Sequence, residues 1–224
     1  MTKVASSGTR ADEVFKAVRA DLLTARFRPG QWMKVSDLQK RFGVSISVVR
    51  EALNRLTAEG LLQSSAQRGF RVPDLSLADL HDLTDARIKI EPLVLRESVE
   101  SGSAEWEAEV VAAHHLLTRT PVPAPDGTLN PDWIRVHAAF HEALLAGCPN
   151  AHLRSVATSL RDKAEMYRMG APLPVGSGDV AAEHRPLMDL ALARRKDEAA
   201  ALLVRHIEHA RQAVVGRLAT HGRD

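Results

Sequence analysis

The residues best equipped for chemistry are histidines, of which this chain of 224 residues has ten. His137 and His141 stand four apart, so a helix would present both on one face. Trp133, Phe140 and Leu144 share that face, and such an apolar set points inward. His184 falls in the stripe Val180, His184, Leu187, Ala191. His206 falls in the stripe Leu202, His206, Ala210. Three inward stripes from three helices can converge on one point. Neutral imidazole is a common ligand for zinc, nickel, iron and copper, and facing helices of a bundle are a usual place to hold such an ion. Buried histidines, each satisfied by its own hydrogen bond, are the alternative, and spacing alone leaves both open.

A second chemistry-bearing stretch runs from Gly43 to Gly60. Gly43 permits a tight turn, and Ser45 or Ser47 can cap the helix that follows. Val49, Ala52, Leu53 and Leu56 form one buried stripe. Ile46, Arg50 and Asn54 step along a different face, with Ser47 beside them. Such a face suits a DNA major groove: Arg forks onto guanine, Asn pairs with adenine, and Ser holds a phosphate. In isolation an ordinary amphipathic surface helix reads the same way, so the flanking elements decide.

Those flanks predict a helix over 10–27, with Val14, Val18, Leu22 and Leu23 on one stripe, stopped by Arg28-Pro29-Gly30. Ser36 is placed as the N-cap of a short helix carrying Leu38 and Phe42. After Gly60, Leu61–Ser64 and Gly69–Val72 form two short strands, with Gln67, Arg68 and Gly69 at the hairpin tip. Helix, helix, turn, helix and hairpin make a winged helix-turn-helix over 10–73. Residues 1–9 read as a disordered lead-in.

Charge agrees with that division. Residues 1–72 hold 13 Lys/Arg against 6 Asp/Glu, whereas residues 73–224 hold 17 against 22. A basic N-terminal part joined to an acidic remainder fits a DNA-binding domain followed by a second module. Apolar residues are 45% and aromatics 4%, which favours helices. The single Cys148 rules out an internal disulfide framework and suits a reducing cytosol. No signal peptide or membrane span is expected, and the predicted location is cytoplasmic.

Beyond a linker at 74–76, the pattern is helical: 76–101, 103–119, 131–147, 150–169, 179–194 and 197–220. Breaks fall at Pro121–Gly127 and Pro172–Gly178, and Pro92 should kink its helix. The fold class is mostly α, with an antiparallel all-α bundle over 77–222 as effector and dimerisation domain.

Arg28-Pro29-Gly30, Gly43-Val44-Ser45, Val49-Arg50-Glu51-Ala52-Leu53, Glu59-Gly60-Leu61 and Arg68-Gly69-Phe70-Arg71-Val72 resemble the N-terminal domain of the GntR family of bacterial transcription regulators. The resemblance covers some sixty residues and implies DNA contacts from Ser36, Ser45, Ser47, Arg50, Arg68 and Gly69. Ile46 stands where the family usually has Arg, so Arg50 should carry more of the specificity while Ile46 meets a thymine methyl.

Arg87–Pro92, His137–Leu144, Glu183-His184 and Arg205-His206-Ile207 resemble the effector domain of the FadR subgroup of that family. In its metal-binding branch an Asp and three histidines hold a divalent ion. His141, His184 and His206 match the histidines, and His137 replaces the Asp. The resemblance implies a divalent transition metal on a four-histidine site. Zinc is expected, with nickel or copper as alternatives, and whether His137 ligates stays open. It also implies a small carboxylate effector that completes the metal's shell, with Arg87, Arg161 and Tyr167 as candidate contacts. A surface Arg and a partly buried Tyr are the plainer readings of Arg161 and Tyr167. His81, His114, His115, His152, His209 and His221 read as exposed or packing residues.

The leading functional expectation is a homodimeric repressor, not an enzyme. It would bind a palindromic double-stranded operator and be released by the carboxylate. A regulator that senses the metal directly is the alternative. A metal-dependent hydrolase is a lesser one: no His-Glu-x-x-His is present, and Glu142 and Glu183 adjoin ligand candidates but point to other faces.

Overall fold

The computed structural model describes residues 9–123, 130–170 and 180–221, with nothing described of the side chains at 170, 180–182 and 217–221. Of the expected lead-in at 1–9 and the expected breaks at 121–127 and 172–178, residues 1–8, 124–127 and 172–178 lie outside the described residues, and Thr9 belongs to the start of the first helix. The chain divides between Leu75 and Ser76 into two compact units.

In the first unit, α1 (Arg10–Leu23) opens on a capping box. The Asp12 amide donates to Thr9 Oγ1 at 3.1 Å, and the Thr9 amide donates to Asp12 Oδ2 at 2.8 Å, so two orphan donors are satisfied together. Val14, Val18 and Leu22 are buried. The helix stops four residues short of 27. Thr24 Oγ1 turns back onto the Ala20 carbonyl, and Ala25 takes φ 52°, which lets the Arg26 amide reach the Asp21 carbonyl. That left-handed exit ends the helix before Pro29 is reached.

A strand that periodicity missed follows, β1 (Trp32–Met33), before α2 (Val35–Phe42). Ser36 is not the N-cap: Lys34 holds that position without a side-chain bond, and Ser36 lies inside the first turn. Gly43, at φ 63°, closes α2 and starts the turn into α3 (Ile46–Ala58), whose N-cap is Ser45. Val49, Ala52, Leu53 and Leu56 are all fully buried, and α3 packs on α1 and α2. Leu61 and Leu62 both donate their amides to the Leu56 carbonyl. They finish the helix and do not begin the strand, so β2 is Gln63–Ser65. With β3 (Gly69–Arg71) the three strands are ordered β1-β3-β2, antiparallel, Met33 and Ser64 both opposite Phe70.

Arg55 ties α3 to α1. It pairs with Asp12 and lies 4.3 Å over the Phe15 ring. The Arg55 bond, then the Thr9 amide and hydroxyl, hold the Asp12 carboxyl down at about 2, against about 3.9 for an unfolded Asp. A carboxyl lowered on folding stabilises the fold above its unfolded pKa, and that contribution disappears as pH falls through the folded one. Asp12→Asn should therefore lower the urea midpoint of the winged unit at pH 6. The gap between variant and parent should close between about pH 4 and pH 2.

Among the described residues the second unit is built from six helices: α4 (Leu77–Ser101), α5 (Ala104–Arg119), α6 (Pro131–Ala146), α7 (Ala151–Gly170), α8 (Val180–Leu192) and α9 (Lys196–His221). Ser76, Ser103 and Asn130 cap α4, α5 and α6, and Pro131 takes the first turn of α6, where its missing N–H costs nothing. Helix α4 runs through the buried Pro92 without a break in assignment. It packs against α6, α7 and α9; α5 packs on α6 and α8, and α8 on α9. Two side-chain bonds fix α6 in place: Ser98 Oγ donates to the Leu144 carbonyl at 2.6 Å, and Trp106 Nε1 donates to the Ala143 carbonyl at 2.8 Å. A Cβ at Gly147 would stand 2.6 Å from the Ser98 carbonyl, so only Gly lets α6 end this close to α4. Phe140, Leu144, Leu187, Leu203 and Ile207 fill the core between α6, α8 and α9.

Candidate metal centre and nucleic-acid interface

That core holds the histidines. His137, His141, His184 and His206 are all buried, and their candidate ligand atoms lie within 4.8 Å of one another. His141 Nε2 and His184 Nε2 are 3.2 Å apart. The His184 and His206 ring centres are separated by 4.8 Å, those of His137 and His141 by 4.7 Å. His137 also stacks on Trp133 at 4.7 Å, and the Arg168 guanidinium covers Trp133 at 4.8 Å. On α9 the buried stripe is Leu203, His206, Ile207 and Val214, and Leu202 is only partly buried. The inward face is thus rotated slightly from the one spacing suggested.

The donor set fits a divalent transition metal. Zinc–imidazole bonds of about 2.05 Å put tetrahedral donors roughly 3.3 Å apart, close to the His141–His184 separation. Burial, and after it the neighbouring positive groups, pushes His137 and His141 well below the ordinary imidazole pKa. Both are therefore neutral, with lone pairs available to a metal. His137 Nδ1 has no hydrogen-bond partner among the described residues, and a buried imidazole nitrogen left without one is costly.

Glu183 was set aside in sequence reasoning because it leaves the His184 face. The structure brings it across to α9: His206 Nδ1 lies 2.9 Å from Glu183 Oε2, and His209 Nδ1 lies 3.2 Å from Glu183 Oε1. The His206 bond, against the opposing effect of burial and helped by His209, lowers the carboxyl to about 2. No one-helix periodicity signals this contact, because it joins two helices.

The three effector candidates fare differently. Arg87 is held by Glu91, Nε to Oε1 at 2.5 Å, with both side chains nearly buried. Arg161 is half-buried, and its Nη1 is shielded from solvent with no hydrogen-bond partner among the described residues. Burial shifts its pKa down, with Glu91, Asp162 and Glu142 opposing that shift. Both guanidinium charges bear on His141. The Tyr167 hydroxyl is already engaged, donating to Asp79 Oδ2 at 2.5 Å and accepting from the Ser76 amide at 3.3 Å. Burial and that carboxylate push it up to about 12, so Tyr167 anchors the start of α4.

In the winged unit, Ser45, Ile46, Ser47, Arg50 and Asn54 lie exposed along the outer face of α3. Ser45 Oγ accepts from the Val48 amide at 3.4 Å and sits 2.8 Å from Ser47 Oγ, leaving the hydroxyl pair at the helix N-terminus, where phosphates bind. Arg50 has no ion-pair partner among the described residues, whereas Arg41 and Arg55 are committed to Asp21 and Asp12. Arg68 is exposed at the wing tip, next to Gly69 at φ 88°, and Ser36 is exposed on α2. Sequence reasoning overlooked Trp32, which is 38% exposed with Arg68 6.0 Å from its ring centre. As an exposed aromatic on β1, it extends the surface beside the wing.

A winged helix-turn-helix with an exposed recognition face, followed by a helical bundle with a buried polar centre, defines a DNA-binding regulator with a second, helical domain. Residues 10–72 match the bacterial regulatory proteins of the gntR family, and residues 82–209 match the FCD domain. The chain belongs to the GntR family of bacterial transcriptional regulators and carries an FCD domain; it is a regulator and not an enzyme. It is 38% identical over 209 residues to the HTH-type transcriptional regulator BphR of Paraburkholderia xenovorans, covering 92% of this chain and 85% of that protein. It is 32% identical to the HTH-type transcriptional repressor GlaR of Escherichia coli, covering 69% and 70%. In fold it is similar to E. coli McbR/YncC, with a TM-score of 0.81 at 19% identity, covering 94% of this chain and 99% of that one. Among the described residues no helix is long and apolar enough to cross a membrane.

Proposed function

We propose that this regulator is a cytoplasmic homodimeric repressor of the FadR subgroup. Its grip on a palindromic operator is controlled by a small carboxylate bound at a metal centre in the FCD domain. Ser36, Ser45, Ile46, Ser47, Arg50, Asn54, Arg68 and Gly69 meet the DNA. His141, His184 and His206 hold the ion with His137 as fourth ligand, and the ion supplies Lewis-acid affinity for a carboxylate oxygen. The observation that carries the effector reading is the buried, unpartnered Nη1 of Arg161. A buried guanidinium is costly unless an anion or hydrogen-bond acceptor meets it. Arg87, held by Glu91, then shapes the pocket and takes less of the ligand's charge.

A second reading, direct metal sensing, has its own support. Four imidazoles complete a tetrahedral zinc shell and leave no open position. On zinc, a carboxylate would then have to displace His137 or bind through Arg161 alone.

Fluorescence anisotropy on a duplex selected from a random-sequence pool tests these readings. Zinc-loaded protein should prefer the selected duplex, and a di- or monocarboxylate panel should weaken it by roughly 5–150-fold for the matching ligand. Arg161→Met should keep DNA preference and lose the carboxylate response. Weakening by zinc alone, with no carboxylate response, supports the metal sensor. No preference among DNA sequences at moderate salt, with or without ligands, ends the proposal.

A further inference from the structure

We infer that Glu183 is a positioning residue of the histidine cluster. It holds His206 in the tautomer whose lone pair turns inward, and His209 anchors its outer oxygen. The inference rests on the metal reading above, but the tautomer it assigns can be measured without metal.

An ionised carboxylate only accepts hydrogen bonds. With Glu183 Oε2 2.9 Å from His206 Nδ1, the proton of a neutral His206 must sit on Nδ1. The lone pair is then on Nε2. The ring itself lies in the cluster, 4.8 Å from His184 and 5.1 Å from His141 between centres. The second carboxylate oxygen is not idle. His209, one turn further along α9 and exposed, places Nδ1 3.2 Å from Glu183 Oε1. Two points of attachment on one helix fix the carboxylate's rotation, and through it the His206 ring. A carboxylate behind a ligand imidazole also raises its basicity, and removing such a partner typically weakens metal binding about 10–100-fold.

A merely structural clasp between α8 and α9 would show the same distances, so the test must separate tautomer from stability. Long-range ¹H–¹⁵N correlation of ring nitrogens in metal-free protein should show His206 protonated at Nδ1. In Glu183→Ala that preference should be lost. Chelator-competition titration should show zinc binding weakened about 10–100-fold in Glu183→Ala, less in Glu183→Gln, which keeps an acceptor oxygen, and least in His209→Ala. Glu183→Gln removes the charge and one of the two acceptors while keeping the side chain's size, and serves where the Ala variant melts early. His206 protonated at Nε2 in the parent overturns the inference. So do Glu183 variants that keep both the parent tautomer and the parent zinc affinity. A parent that takes up no zinc ends the metal proposal, and the tautomer change on Glu183 substitution still decides the role of Glu183.

Discussion

His184→Ala should strip zinc from the purified protein. His184 is fully buried and lies 3.2 Å, Nε2 to Nε2, from His141, with His206 and His137 ring centres 4.8 and 4.9 Å away. Structural zinc sites hold their ion with roughly 10–16 kcal/mol, so one of four ligands accounts for a loss on the order of 3 kcal/mol, or two decades in Kd. Elemental analysis should fall from about one zinc per chain to a small fraction. Linkage supplies an independent readout. Zinc at about 1,000 times its Kd stabilises the parent by roughly 4 kcal/mol, which raises its melting temperature, whereas the same zinc concentration is only about 10 times the Kd of a variant two decades weaker and should stabilise it by roughly 1.4 kcal/mol, a much smaller rise. Alanine leaves a cavity and lowers the metal-free melting point on its own, so the zinc-dependent increment is the measured quantity. A variant that retains full zinc removes His184 from the ligand set. If neither parent nor variant responds to zinc, the cluster is a hydrogen-bonded histidine core.

Arg50→Ala is the matching change in the winged unit. Arg50 is exposed on α3, one turn beyond the capping Ser45, and has no ion-pair partner among the described residues to compete for its guanidinium. Arg forking onto a guanine edge contributes about 1–3 kcal/mol of discrimination. The variant should therefore lose about 5- to 150-fold of its preference for the selected duplex over one mutated at that guanine. Loss spread evenly over all sequences, with a salt slope smaller by about one, would make Arg50 a phosphate contact instead. The fold should survive, because the buried stripe of Val49, Ala52, Leu53 and Leu56 faces the other way. Ile46, half exposed, cannot substitute for the lost donor.

The recognition helix was readable from the chain because everything that defines it is local. Gly43 needs its left-handed turn, Ser45 caps the next residues, and the apolar stripe repeats within four turns. The errors also have local causes. Strand β1 is two residues long and exists only by pairing with Phe70 and Arg71, too short to show an alternation. Ser is a favoured cap residue, which points to Ser36, but the cap falls two residues earlier, on Lys34, and α2 starts at Val35. A surface position is the plainer reading of Arg161 because a lone charge in a helical pattern is normally solvated; the structure half-buries it and shields its Nη1, with Glu91 and Asp162 near enough to oppose its pKa shift.

By itself the sequence determined the inward face of α3, α6 and α8, and that of α9 to within a slight rotation, since helical periodicity is a property of neighbours three and four residues apart. It thereby placed His137, His141, His184 and His206 on buried faces. Only the tertiary structure decided that those faces meet with donor atoms within 4.8 Å, that Glu183 reaches His206 from another helix, and that Arg161 Nη1 is hidden from solvent without a hydrogen-bond partner among the described residues. The first two are contacts between different helices, and the hiding of Arg161 Nη1 likewise depends on how helices pack side by side, an arrangement that spacing along a single helix does not encode.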